Sequence, residues 1–87
     1  MAYGLNGKLI AHAQTVVTLD SSGNGTAAVV FTPSFPNPPS VLVIPTLGDS
    51  GSYSASGITV DGFTINITGS NVRSTDLNVV YFAAEKT

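Results

Sequence analysis

The chain has 87 residues and no cysteine, which fits one small domain and removes disulfides and thiolate metal sites together. Three Lys or Arg against five Asp or Glu leave a net charge of −2, and Lys8, Arg73 and Lys86 are too few to form the basic face that nucleic acid requires. No run approaches the roughly 18 apolar residues of a membrane span, so insertion into a membrane is not expected either.

Val, Ile and Thr supply 25 of the residues, a β-branched composition that suits strands coated by hydroxyls and amides. No stretch carries apolar residues at helical spacing between caps. The chain opens on "MAYGLNGK", read as an N-terminal arm or edge strand (residues 1–14) with Tyr3 and Leu5 as apolar anchors for docking on a neighbour. No basic n-region leads into an unbroken apolar h-region here, so no signal peptide is expected. A single β-sandwich domain is expected over residues 15–87. "KLIAHAQ" and "TVVTL" read as strands separated by a bend at Gln14 and Thr15, and "DSSGNG" as the turn that follows.

"TAAVVF" is the next strand, and then come all five prolines, in "FTPSFPNPPSVLVIPT" (residues 31–46). Proline cannot donate to a sheet ladder and pre-orders the chain in extended or turn conformations. "TPSFPNPP" is therefore a rigid crossover with Phe35 tucked against the core, delivering the chain into the strand "SVLVIPT". "GDSGS" is a loop, "YSASGITV" a strand with a bend at Gly57, and Asp61-Gly62 the dipeptide preferred in a type I′ hairpin turn. In "GFTINITG", Phe63, Ile65 and Ile67 alternate with Thr64, Asn66 and Thr68, the pattern of a half-buried strand. "GSNVRSTD" is a loop and "LNVVYFAA" the last strand. About six to eight short strands at this spacing argue for an all-β fold, an antiparallel β-sandwich or small barrel. "SVLVIPT" and "LNVVYFAA" are apolar at both parities, so they belong in the middle of a sheet or under another subunit.

No set of residues adds up to a catalytic or metal site. "GDSG" (residues 48–51) matches the tetrapeptide around the serine of chymotrypsin-like proteases, but that chemistry needs a histidine base and an orienting carboxylate. His12 is the only histidine, and the chain is too short for a double barrel. "DSSGNG" begins like a calcium loop, yet the bidentate acid due at its twelfth position is Phe31. Asp20, Asp49 and Asp61 are explained by turn preference, and Asp76 and Glu85 do not suggest a catalytic pair. No enzyme activity and no cofactor are expected. "NGT" (24–26) and "NIT" (66–68) fit the N-glycosylation pattern at a frequency chance allows. Of the tyrosines, Tyr81 reads as core or interface, and Tyr53, beside a loop, as a ligand contact.

The series from the proline segment onward resembles the H-type lectin-like β-sandwich. That module occurs in invertebrate and amoebal lectins, in phage tail fibres and in other virion proteins. Phe35, Pro38, Pro39 and Val41 match its entry strand, Gly62, Phe63 and Ile65 a middle strand, and Tyr81 and Ala83 its closing aromatic-x-Ala strand. The resemblance covers about residues 15–84 and implies a six-stranded antiparallel sandwich that commonly trimerises. Two functional expectations follow. The first is a phage-like virion structural protein (capsid decoration, head-fibre or turret subunit), made in the host cytoplasm and partnered by itself, as a homotrimer, and by other virion proteins. The second is a small extracellular glycan-binding module for cell-surface attachment, with its site in the loops that carry Asp49, Tyr53, Asn71 and Arg73.

Overall fold

The computed structural model of the chain describes residues 2 and 3, as backbone only, and residues 9–86. They form seven antiparallel strands and no helix: β1 (Ala2–Tyr3), β2 (Leu9–Thr18), β3 (Gly25–Val30), β4 (Ser40–Ile44), β5 (Ser52–Ser56), β6 (Gly62–Thr68) and β7 (Asp76–Ala84). Two sheets face each other, one ordered β1-β2-β7-β4 and the other β3-β6-β5. The fold is thus a β-sandwich, with six principal strands and the two-residue β1, and not a closed barrel.

The alternation in β6 does what its spacing requires. Phe63, Ile65 and Ile67 are buried, and Thr64, Asn66 and Thr68 point away from the core. Across the sandwich, Val79, Tyr81 and Ala83 of β7 and Val17 of β2 close the same core. Phe31, at the end of β3, and Phe35, in the crossover, pack edge to face at 4.8 Å between ring centroids, and Phe35 is buried. The crossover is stitched to the β5–β6 connection. Phe31 N donates to Asp61 O (2.8 Å), Phe35 N to Val60 O (2.9 Å) and Ser34 Oγ to Asp61 Oδ1 (2.5 Å). The prolines thus serve as a rigid link that seats an aromatic ring, and the Thr32-Pro33 peptide bond within it is cis.

Three local expectations differ from what forms. No bend interrupts β2 at Gln14 and Thr15, because β7 pairs with it residue by residue from Ile10 to Thr18. A boundary after residue 14 would therefore fall inside a strand. The Asp61-Gly62 pair does not make a type I′ turn, since neither residue has positive φ; the one positive φ in this connection is at Gly57 (60°). Gly62 instead lies within β6 opposite Val30, where a Cβ would stand 2.1 Å from the Val29 carbonyl oxygen. Finally, β7 is central in its sheet, whereas β4 is an edge strand, which departs from the first of the two placements expected for it.

The Gly62 contact gives a direct test of the fold. Gly62→Ala is expected to cost about 1–3 kcal/mol, the usual range for overpacking a fitted position, in urea unfolding monitored by circular dichroism. A change too small to resolve would show that β3 and β6 are not that closely apposed.

Candidate functional site

Three connections meet at one end of the sandwich: residues 19–24 after β2, 45–51 after β4 and 69–75 after β6. The first is a tight turn organised by Asp20, whose Oδ1 accepts from Ser22 N (2.8 Å) and Asn24 N (3.0 Å). These bonds hold its carboxyl below the usual range. Asp20 O also accepts from Ser74 N (3.0 Å), which ties the first connection to the third. Gly23 (φ 79°) passes so close to Ser70 that a Cβ would lie 2.3 Å from the Ser70 carbonyl oxygen. Ser70 N donates to Gly23 O (3.0 Å), and Gly69 N to Asn24 Oδ1 (2.9 Å).

Asp49 is the hub of this rim. Its Oδ1 accepts from Gly51 N (3.0 Å) and Asn71 N (2.8 Å), and its Oδ2 from Ser70 Oγ (2.6 Å) and the Tyr53 hydroxyl. Four donors on one carboxylate stabilise the charged form strongly. The Ser70 hydroxyl, then the Tyr53 hydroxyl and the Asn71 amide hold the Asp49 carboxyl far below its ordinary value. The Tyr53 phenol is pushed up, first by burial and then by its bond to Asp49. Ser70 is completely buried beneath this arrangement. With both oxygens engaged, Asp49 organises loops and has little left to offer a ligand.

Around the hub, the outward polar groups include Ser50, Asn71 and Arg73. Ser50 Oγ donates to Asn71 Oδ1 (2.6 Å), Asn71 Nδ2 to Gly48 O (3.1 Å), and Arg73 Nε to Ser70 O (3.4 Å). The "GDSG" serine thus has an asparagine as its partner, and His12 lies on the outer face of the four-stranded sheet beside Phe82, with ring centroids 6.0 Å apart. Among the described residues no three His, Cys, Asp or Glu side chains are placed to hold a metal ion.

The structure therefore gathers Asp49, Tyr53, Asn71 and Arg73 into one rim. Tyr81 is elsewhere and faces inward. It is 8% exposed, with its ring edge-on to Phe63 at 5.3 Å, so its side chain belongs to the core and not to a docking surface. Tyr3 lies in β1, of which only the backbone is described, and Leu5 falls outside the described residues. Ser70, the buried donor that completes the hub, escaped the sequence reading. Its only local signal is that it follows Gly69, which adopts φ 67°.

A family model for the H-type lectin domain matches residues 26–84. The chain belongs to the H-type lectin domain family. The matched part of this H-type lectin domain begins in β3 and includes both connections that build the Asp49 hub, while β1 and β2 lie before it. Comparison with curated proteins gives no match.

The hub predicts an acid limb in stability. Because the folded-state pKa of Asp49 is depressed, its contribution is fully present above the unfolded carboxyl value near 3.8 and is lost as pH falls below it. Asp49→Asn, which presents an amide to two hydroxyl and two amide donors, should lower the urea midpoint at pH 7 and flatten its decline as pH falls from about 4 toward 2. Parallel declines in the two proteins would show that Asp49 is not the coupled group.

Proposed function

We propose that this domain is a structural subunit of a virion, such as a capsid decoration, head-fibre or turret protein, which works by self-association and by docking on the particle, without catalysis or cofactor. The observation that carries this reading is the difference between its two outer faces. On the three-stranded sheet the outward positions are mostly polar (Thr26, Thr64, Asn66, Ser52, Ser54 and Ser56, with Asn66 Nδ2 donating to Ser56 Oγ at 2.8 Å), and Ala28 and Val30 are the apolar ones, at the end of β3. On the other sheet the register places Leu42 beside Phe82, Ile44 beside Val80 and Val16 beside Asn78, all outward, with His12, Gln14, Thr18 and Ser40 around them.

That second face is open. Leu42 is 61% exposed, Val16 49%, Ile44 41% and Phe82 37%. Monomeric soluble proteins rarely leave a contiguous apolar patch uncovered, and such patches mark interaction surfaces. The only formal charge among the outward residues of β2, β7 and β4 is Asp76 at one corner, so the face suits an uncharged protein surface and not an anionic membrane or nucleic acid. The virion setting is supported by the weakly charged, β-branched composition of a domain that displays polar hydroxyls on one side and an apolar sheet on the other.

Glycan binding is the second reading, favoured by membership of the H-type lectin domain family and by the rim that carries Ser50, Asn71 and Arg73. The engagement of both Asp49 oxygens within the rim weighs against it, since sugar hydroxyls are commonly held by free acceptors.

Antibodies against the chain are expected to label purified virus particles from its source in immunoelectron microscopy. The Leu42→Lys/Ile44→Lys protein should fold with an unchanged circular dichroism spectrum yet lose its place on the particle. Unlabelled particles, together with glycan-array binding that Arg73→Ala abolishes, would replace this reading with the second.

A further inference from the structure

We propose that the gap between the two sheets beneath Ala11 and Ala13 is a binding site for a neutral single-ring molecule of the phenol class, held by a hydrogen bond from the Tyr81 hydroxyl. The site lies toward the end of the sandwich opposite the loop rim and inside the apolar outer face, so it rests on neither functional reading above.

The gap originates in side-chain size. Along the inner side of β2 run Leu9, Ala11, Ala13, Thr15 and Val17. Leu9 and Val17 are buried near the two ends, whereas the alanines between them fill little of the space that faces β3. A cavity of about 190 Å³ opens there between β2 and the end of β3, with Phe31 and Tyr81 as its ring-bearing walls and Thr32 beside them. Ala13 is exposed although it faces the inner side. Phe63 packs against both Phe31 and Tyr81, at 5.7 and 5.3 Å between centroids, so both walls are held from behind and the gap is preformed. Protein interiors hold few voids larger than a water molecule, and apolar cavities of about 150 Å³ accept benzene. A chain continuing β1 along the edge of β2 would lie in the plane of the sheet and wall this gap, so the site does not require that edge to be free.

Tyr81 decides the chemistry. It stands opposite Ala13 in the β2–β7 pair, and its side chain is more than nine-tenths buried. Its hydroxyl makes no hydrogen bond with another described residue. Among the described residues no fully buried side-chain oxygen lacks a partner, so this hydroxyl still meets solvent, and the cavity that Tyr81 lines is the opening beside it. Buried tyrosine hydroxyls usually find a partner, and here a ligand oxygen would supply one. Burial pushes the Tyr81 phenol up, which keeps it protonated at neutral pH and makes it a donor. The described lining has no Asp, Glu, Lys or Arg, and His12, which borders the cavity, carries its ring on the outer face beside Phe82. A charged ligand would therefore be uncompensated, and a sugar would leave most of its hydroxyls unpaired against alanine and aromatic walls. A neutral ring with one acceptor oxygen suits the site.

Phenol and benzene are the probes, added to the isotope-labelled full chain. Phenol should move the amide signals of residues 11–13 and 30–32 along a saturable curve in the millimolar range and leave those of the loop rim in place. Tyr81→Phe keeps the ring and removes only the hydroxyl. It should weaken phenol about 2- to 13-fold, the span one hydrogen bond contributes, and leave benzene unchanged. Ala13→Leu, which fills the gap from an exposed position, should abolish binding of both while the rest of the spectrum is retained. Shifts that do not saturate, or phenol and benzene affinities that change equally in Tyr81→Phe, overturn the proposal. If Tyr81→Phe does not fold, Ala13→Leu decides alone, and undiminished phenol binding in it overturns the site.

Discussion

Four aromatic rings in series hold the two sheets in register, and most of the remaining architecture depends on their seating. Phe35 meets Phe31 at 4.8 Å, Phe31 meets Phe63 at 5.7 Å, and Phe63 meets Tyr81 at 5.3 Å between centroids. The series runs from the proline crossover through β3 and β6 to β7, and so crosses from one sheet to the other. Aromatic pairs of this geometry contribute about 0.5–1.5 kcal/mol each beyond the apolar area they bury. At about 0.05–0.15 kcal/mol per residue, a domain of this size has only ~4–13 kcal/mol in total. With no disulfide to share the task, three such contacts are a large part of that total, and the Phe63–Tyr81 contact is the one that joins the two sheets. The prolines matter through this series: they fix where Phe35 can sit, and the backbone bonds from Phe31 and Phe35 to the β5–β6 connection hold that position.

What could be read in the sequence was whatever local chemistry decides. The period-two pattern in "GFTINITG" determined both the strand and its buried face, because solvent and core lie on opposite sides of a pleat. The proline run identified the crossover because φ restriction acts within a residue or two. Features decided by distant partners were not legible. Gln14 and Thr15 read as a bend on local grounds, yet β7 straightens them, through a partner some 65 residues away in sequence (Gln14 with Val80, Thr15 with Val79). Asp61-Gly62 has hairpin chemistry, but Gly62 is required for the approach of the Val29 carbonyl, which no local pattern records. The rim divides in the same way. The turn residues in its loops were visible, whereas the convergence of Ser70 and Asn71 on Asp49 joins positions 21 and 22 residues apart and exists only once the sandwich has formed.

Polar and apolar side chains are distributed unusually for so small a domain. At the rim, polar groups turn toward each other: Asp20, Asn24, Asp49, Ser50, Tyr53, Ser70 and Asn71 are all engaged in bonds within the protein. Such a network is rigid and well satisfied, which favours precise presentation of the loops over adaptability. On the four-stranded sheet the opposite holds, and Leu42, Ile44, Val16 and Phe82 are left to water. Composition alone conceals this, because it averages over both faces.

The outer face and the edges of the four-stranded sheet have different physical characters. An apolar face is non-directional, and its attraction scales with the area it removes from water. It can rest on any dry surface of matching shape. A strand edge is directional: its amides and carbonyls recur at fixed intervals and accept only another extended backbone in one of a few registers. Under the proposed function the apolar face of the four-stranded sheet would supply the adhesion, since it needs only a dry surface of matching shape.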